Sequence, residues 1–152
     1  MIEASLTRRS ALALGASAAL AVSLRPARAT PEEMSEAVRE MTGGRPVQAG
    51  RVTLDMPPLV ENGNAAPLAL NVESPMTEAD HVRRIAVFNE RNPQPEVITV
   101  RLGPRSGRGN LTTRIRLANS QRITAIAEMS DGSFWSGSAD VIVTLAACVE
   151  GS

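Results

Sequence analysis

From Arg51 to the C-terminal region the chain repeats one pattern: a short run of alternating apolar and polar residues, a turn signal, then another run. A period of two puts one set of side chains on one face of an extended strand, and no helix can gather such a set. Val52, Leu54 and Met56 alternate with Arg51, Thr53 and Asp55, and Leu68, Leu70 and Val72 alternate with Ala69 and Asn71. Between them stands Glu61-Asn62-Gly63-Asn64, whose Asn-Gly pair predicts a tight turn with positive φ. Ser74-Pro75-Met76 ends the second run, Ile85 and Val87 belong to a third, and Val97 to Leu102 form a fourth. Leu111 to Leu117 and Ile123 to Met129 follow, and Phe134-Trp135 opens the last run. Asp131-Gly132, between two alternating runs, predicts a hairpin. Seven short strands with turn signals every eight to fifteen residues predict an all-β chain, an immunoglobulin-like antiparallel β-sandwich of about seven strands.

One helix precedes the strands. Thr30 is placed as N-cap, Pro31 as first helical residue and Glu33 as the partner in a capping box. Met34, Ala37, Val38 and Met41 fall on one face, and Gly43-Gly44 stops the helix, which spans 31–42. A helix of about three turns is marginal alone, so its apolar face must pack on its own sheet or on a partner. Both readings stay open at this level.

The first 29 residues read as an export signal. Arg8-Arg9 precedes an apolar run, Ala11 to Leu24, and Ala27-Arg28-Ala29 fits a small-x-small cleavage site. The run is short and alanine-rich for a membrane span, and the arginine pair points to twin-arginine export into a bacterial periplasm. Cleavage leaves Thr30 to Ser152, 123 residues, a suitable length for a single domain with no membrane segment. The whole chain is formally neutral, but this mature part holds 12 arginines against 15 acids. With three aromatic residues (Phe88, Phe134, Trp135) and no lysine, it offers no stacking platform, and no basic stripe is evident. Nucleic acid is therefore not expected as a partner.

The inventory for catalysis is thin. His81 is the only histidine and Cys148 the only cysteine, so a thiol–imidazole pair would need those two residues to meet. One of each makes no metal-ligand set. Glu32, Glu33 and Glu36 read as acids favoured at a helix N-terminus. Gly107-Arg108-Gly109 opens no helix and is not a phosphate loop. No catalytic residue, metal or cofactor is predicted. What remains is Cys148, four residues from the end, on a tail where the strand pattern Val141 to Leu145 gives way to Ala146-Ala147. An odd cysteine in an exported chain suggests a reactive or intermolecularly paired thiol. A thiol without a base has the profile of a covalent substrate carrier rather than an enzyme.

Several blocks in order resemble the SoxY family of sulfur carriers in bacterial thiosulfate oxidation. They are Val52-Thr53-Leu54-Asp55-Met56-Pro57, Glu61-Asn62-Gly63-Asn64, Ser74-Pro75-Met76-Thr77, Thr113-Arg114-Ile115-Arg116-Leu117-Ala118 and Ala127-Glu128-Met129-Ser130-Asp131-Gly132-Ser133-Phe134-Trp135. The resemblance runs from the helix to Cys148. It implies a sandwich domain over 30–145, paired with a small β subunit of the SoxZ kind, and a cysteine arm over 146–152. Cys148 would attach a small sulfur anion and present it to separate sulfur-oxidation enzymes. The arm departs from the family's Gly-Gly-Cys-Gly-Gly: Cys148 is flanked by Ala146, Ala147, Val149 and Glu150. This is similar to a SoxY-related group with an Ala-Ala-Cys-Ile-Glu arm. Alanine and β-branched valine restrict a backbone that glycine leaves free, and Glu150 adds a charge that disfavours a thiolate and an incoming anion. The alternative is a SoxY-derived binding or scaffold subunit that keeps the sandwich without carrying cargo.

Overall fold

The computed structural model describes residues 29–147. Helix α1 (Pro31–Thr42) is followed by β1 (Val47–Ala49), β2 (Val52–Asp55), β3 (Leu59–Asn62), β4 (Ala66–Val72), β5 (Val82–Asn89), β6 (Glu96–Arg101), β7 (Gly109–Ile115), β8 (Gln121–Met129) and β9 (Phe134–Leu145). These form two sheets packed face to face, the β-sandwich expected. One sheet runs β1-β9-β8-β5-β6, with β3 also on β9, and the other runs β2-β4-β7.

Nine strands are present among the described residues, two more than the alternating runs predict. The additional strands, β1 and β3, are three and four residues long, too short to show a period. Both pair parallel to β9, so the sandwich is not wholly antiparallel: Val47 lies opposite Phe134, and Leu59 opposite Ile142. Asn62-Gly63 also departs from expectation. It makes a 3-10 turn (Gly63–Ala65) in which the Asn62 side chain accepts the Asn64 N–H at 3.0 Å. Gly63 is not among the positive-φ glycines.

The two sheets differ in how many faces they bury. In β4, Ala66, Leu68, Leu70 and Val72 are buried and Pro67 and Asn71 are exposed, so the smaller sheet has one wet face. In β5, Ile85 through Asn89 are all buried. Ile85 and Val87 join Leu68, Leu70, Ile123 and Leu117 in the core between the sheets. Ala86 and Phe88 face the other way, beside Ile126 and Phe134, and are covered by Met34, Ala37, Val38 and Met41. The apolar face of α1 thus packs on its own sheet. The helix begins with the capping box expected: Glu33 N–H donates to Thr30 Oγ1 at 3.2 Å and Thr30 N–H to Glu33 Oε2 at 3.0 Å. Gly43, at φ 62°, ends it. Arg84 fastens its last turn by donating to the Met41 carbonyl at 3.0 Å and to Glu128 at 2.9 Å.

The β8–β9 hairpin closes as predicted. Gly132 (φ 83°) follows a turn in which its N–H donates to the Met129 carbonyl at 3.0 Å. The Asp131 carboxylate accepts from the Ser133 N–H at 2.8 Å and its hydroxyl at 2.7 Å. These bonds, the hydroxyl first, hold Asp131 below the usual carboxylate range.

Candidate functional site

The last described residues form the root on which the predicted arm is mounted. β9 is paired by β8 up to Val141 and by β3 beyond it, Leu59 to Ile142, Val60 to Val143 and Asn62 to Leu145. The two strands lie along opposite edges of β9: Ile142 N–H donates to the Pro58 carbonyl before β3 at 2.9 Å, and Val143 N–H to the hydroxyl of Ser120, just before β8, at 2.8 Å. Thr144 donates to the Glu61 carbonyl at 3.2 Å.

Beyond the strand, Ala147 N–H donates to the Leu117 carbonyl at 3.0 Å, and Leu117 N–H donates to the Gly63 carbonyl at 2.8 Å. Leu117 is fully buried and Ala147 is 6% exposed. Gly63 makes this stack possible by having no side chain. A Cβ there would lie 2.8 Å from the Ala147 nitrogen and closer still to the Leu117 carbonyl oxygen. The Asn-Gly pair read as a turn signal therefore contributes a close backbone approach under the arm. That role has no local signature, because it depends on segments more than fifty residues away in sequence.

A polar network braces the same end. The side chain of Asn89, fully buried, donates to the Gln94 and Pro95 carbonyls at 2.7 and 3.0 Å and accepts from Arg91 and Asn92 N–H groups at 3.2 and 2.7 Å. Asn92 carries the chain on to the arm root, donating to the Arg116 carbonyl at 2.8 Å and accepting from Ala118 N–H at 3.0 Å. Gln121 donates to Asn92 Oδ1 at 2.9 Å and accepts from Arg91 N–H at 2.9 Å. Nothing in the sequence patterning marks these three side chains as a unit.

Of the predicted site residues, Ala146 is exposed and Ala147 is buried and held. Cys148, Val149 and Glu150 lie outside the described residues, as does the predicted signal up to residue 28. The large apolar side chains most exposed among the described residues, Leu59, Ile142 and Leu145 at 53 to 63%, all sit on β3 and the end of β9. His81 is elsewhere. It immediately precedes β5, its Nδ1 is 3.0 Å from the Thr77 carbonyl oxygen, and its N–H donates to Ser130 Oγ at 3.1 Å. Its neighbour Val82 pairs with Met129 at the hairpin end of β8, whereas Val141 pairs with Gln121 at the other end. Eight residue steps of strand, roughly 27 Å, separate the two levels. Among the described residues no three His, Cys, Asp or Glu side chains cluster to hold a metal ion.

Comparison with known proteins identifies the family. The family model described as "Sulfur oxidation protein SoxY" matches residues 38–148, from the helix through the cysteine. The chain belongs to the SoxY family. It is thus a member of a family of sulfur-oxidation proteins, and the match covers the whole sandwich. No curated protein matches. Among solved structures, the superoxide reductase (neelaredoxin) of Ignicoccus hospitalis is similar with a TM-score of 0.55 and 16% identity, over 76% of this chain and 94% of that one. A superoxide reductase from Nanoarchaeum equitans gives 0.54 at 8% identity over 63% and 100%. A putative superoxide reductase from Thermotoga maritima gives 0.53 at 21% identity over 64% and 87%. At these identities the likeness concerns the fold alone: this SoxY-family sandwich shares its architecture with superoxide reductases.

Proposed function

We propose that this SoxY-family chain is a periplasmic sulfur-compound carrier, exported by its twin-arginine signal, in which Cys148 binds cargo covalently. The observation that carries the reading is the mounting of the arm. A long strand paired by β1, β8 and β3 leads to a buried, hydrogen-bonded Ala147, and the family match reaches the next residue, Cys148. A carrier needs its thiol outside the core yet attached to something rigid, so that a client enzyme meets it in a defined place. A backbone tethered as far as Ala147 supplies the rigid part.

The chemistry follows from the lone thiol. Joining a thiolate to the terminal sulfur of thiosulfate makes a disulfide bond and releases two electrons, so the attachment requires a separate electron-accepting protein. Hydrolytic or oxidative trimming of the cargo likewise belongs to other enzymes, and the chain itself is a subunit rather than an enzyme. Its partners are then a SoxZ-like small β subunit and transient sulfur-oxidation enzymes. With Ala147 held at the Leu117 carbonyl and alanines where the family's arm has glycines, the client must bring its active site close to the end of β9. Exposed Leu59, Ile142 and Leu145 offer an apolar rim there.

Intact mass of the mature protein from periplasm of sulfur-oxidising cells, before and after reduction, tests the proposal. A reducible increment of sulfur, thiosulfate or sulfonate mapping to Cys148, absent in Cys148→Ala, is expected. A homogeneous free thiol, unchanged by thiosulfate with an oxidant, supports instead the scaffold reading.

A further inference from the structure

The sandwich is closed along one side and open along the other. On the closed side Gly137 of β9 lies against the Val52 backbone of β2, so near that a Cβ would meet the Val52 carbonyl. On the open side, β6 is the edge of one sheet and β7 the edge of the other. Between them runs a groove of about 420 Å³ with Val97, Ile98 and Ile115 among its apolar lining and Arg114 and Arg116 beside them. Asn92 bridges one end of it to the Arg116 carbonyl.

This seam is strongly unbalanced in charge. From residue 96 to residue 116, which takes in β6, β7 and the loop between them, stand Arg101, Arg105, Arg108, Arg114 and Arg116 against one acid, Glu96. Arg101, Arg105, Arg108, Arg114 and Arg116 are absent from the ion pairs among the described residues, whereas Arg39, Arg51, Arg83, Arg84 and Arg122 each reach a carboxylate. Glu96 accepts a hydrogen bond from Thr99 at 2.8 Å. The basic stripe that the linear sequence does not reveal is made by folding two arginine-bearing edges side by side. Its field stands out on a mature chain with more acids than bases.

We infer that the β6–β7 seam is the docking face for an acidic, extended segment of a partner protein. An edge strand offers unpaired backbone donors and acceptors to an added strand, and the apolar groove takes alternate side chains. The arginines discriminate: they repel another copy of the same edge and attract carboxylates. A protein fits better than nucleic acid, because Phe88 and Phe134 are buried under α1 and Trp135 lies under Arg51, leaving the seam without a stacking surface. The inference goes beyond the carrier reading and holds whatever Cys148 carries.

The test is an amide-resolved NMR titration of the mature chain at low ionic strength with three probes. They are a peptide of about twelve alternating Glu and Val residues, its Lys–Val counterpart, and a short DNA duplex. Expected are saturable shifts at β6 and β7 with the Glu–Val peptide only, slowed exchange of their edge amides, and at least about tenfold weaker binding in the R101E/R114E/R116E variant. The milder R114Q/R116Q variant should fall between, and R39E should bind normally. Absence of saturable shifts on these strands, equal response to the Lys–Val peptide, or tighter binding of the duplex overturns the inference. In the first case the arginines are an edge guard only.

Discussion

The two halves of β9 do opposite work. Its first half is a core element: Phe134 is buried beneath α1 and Arg45, and Gly137 meets the facing sheet. Its second half carries Ile142 and Leu145, largely exposed, and ends in a root stacked on Leu117 and Gly63. One strand thus joins a region whose stability comes from buried apolar area to one held mainly by backbone hydrogen bonds and small residues. The difference teaches that a strand end need not be loosely attached to be exposed. Ile142 and Leu145 point to opposite faces and are both exposed, while backbone bonds to β3, Ser120 and Leu117 hold the chain in place.

Substitutions on either half sharpen this contrast. Phe134→Ala removes a ring packed by helix and sheet and should cost about 3–5 kcal/mol, read by denaturant unfolding, with faster amide exchange in α1 but not at Val143. Gly63→Ala drives a Cβ into the Ala147–Leu117 stack and should cost about 1–3 kcal/mol. Its amide shifts should centre on Leu117 and Ala147, with the α1 amides unmoved. If both variants perturbed both halves equally, the division would fail. Asn89→Ala, at the brace behind the root, removes four side-chain hydrogen bonds, leaves the Gln94 carbonyl and the Asn92 N–H without their partner, and should cost about 1–3 kcal/mol.

Thr30→Ala removes one arm of the capping box and should lower thermal stability by about 1 kcal/mol. The smallest effect is a pH dependence at the hairpin. Asp131 is held below its ordinary value, so its contribution is complete above the unfolded pKa of about 3.9 and is lost as pH falls through the lower folded value. It is an exposed group, and the effect on stability is correspondingly slight. An NMR titration should show the Asp131 midpoint below that of an ordinary aspartate, and Ser133→Ala should raise it. The Asp140 carboxylate, paired across strands with Arg122 at 2.9 and 3.1 Å, should also titrate low.

Much of the fold was legible because strands betray themselves when long enough to alternate and when glycine or asparagine marks their ends. The hairpin at Asp131-Gly132 and the caps of α1 at Thr30 and Gly43 are local matters, and local residues announce them. The site was legible only in part. Cys148 stood out by being single and terminal, and its flanking residues by departing from the family's arm. The anchoring of Ala147 did not, since its partner Leu117 looks like any buried leucine and uses only its backbone. Gly63 was misread for the same reason: an Asn-Gly pair suggests a turn, and only the packed chain shows the space that the glycine leaves for other segments.

By itself the sequence determined the all-β class, the capped helix and the hairpin, because each depends on residues within a turn or a strand of one another. Tertiary structure alone decided that α1 packs in cis and that β1 and β3 add parallel partners to β9. It also decided that five arginines share one seam and that the arm is held as far as Ala147. Those outcomes rest on which distant segments meet, and a contact made through a backbone carbonyl or a missing Cβ leaves no trace in a pattern of side chains.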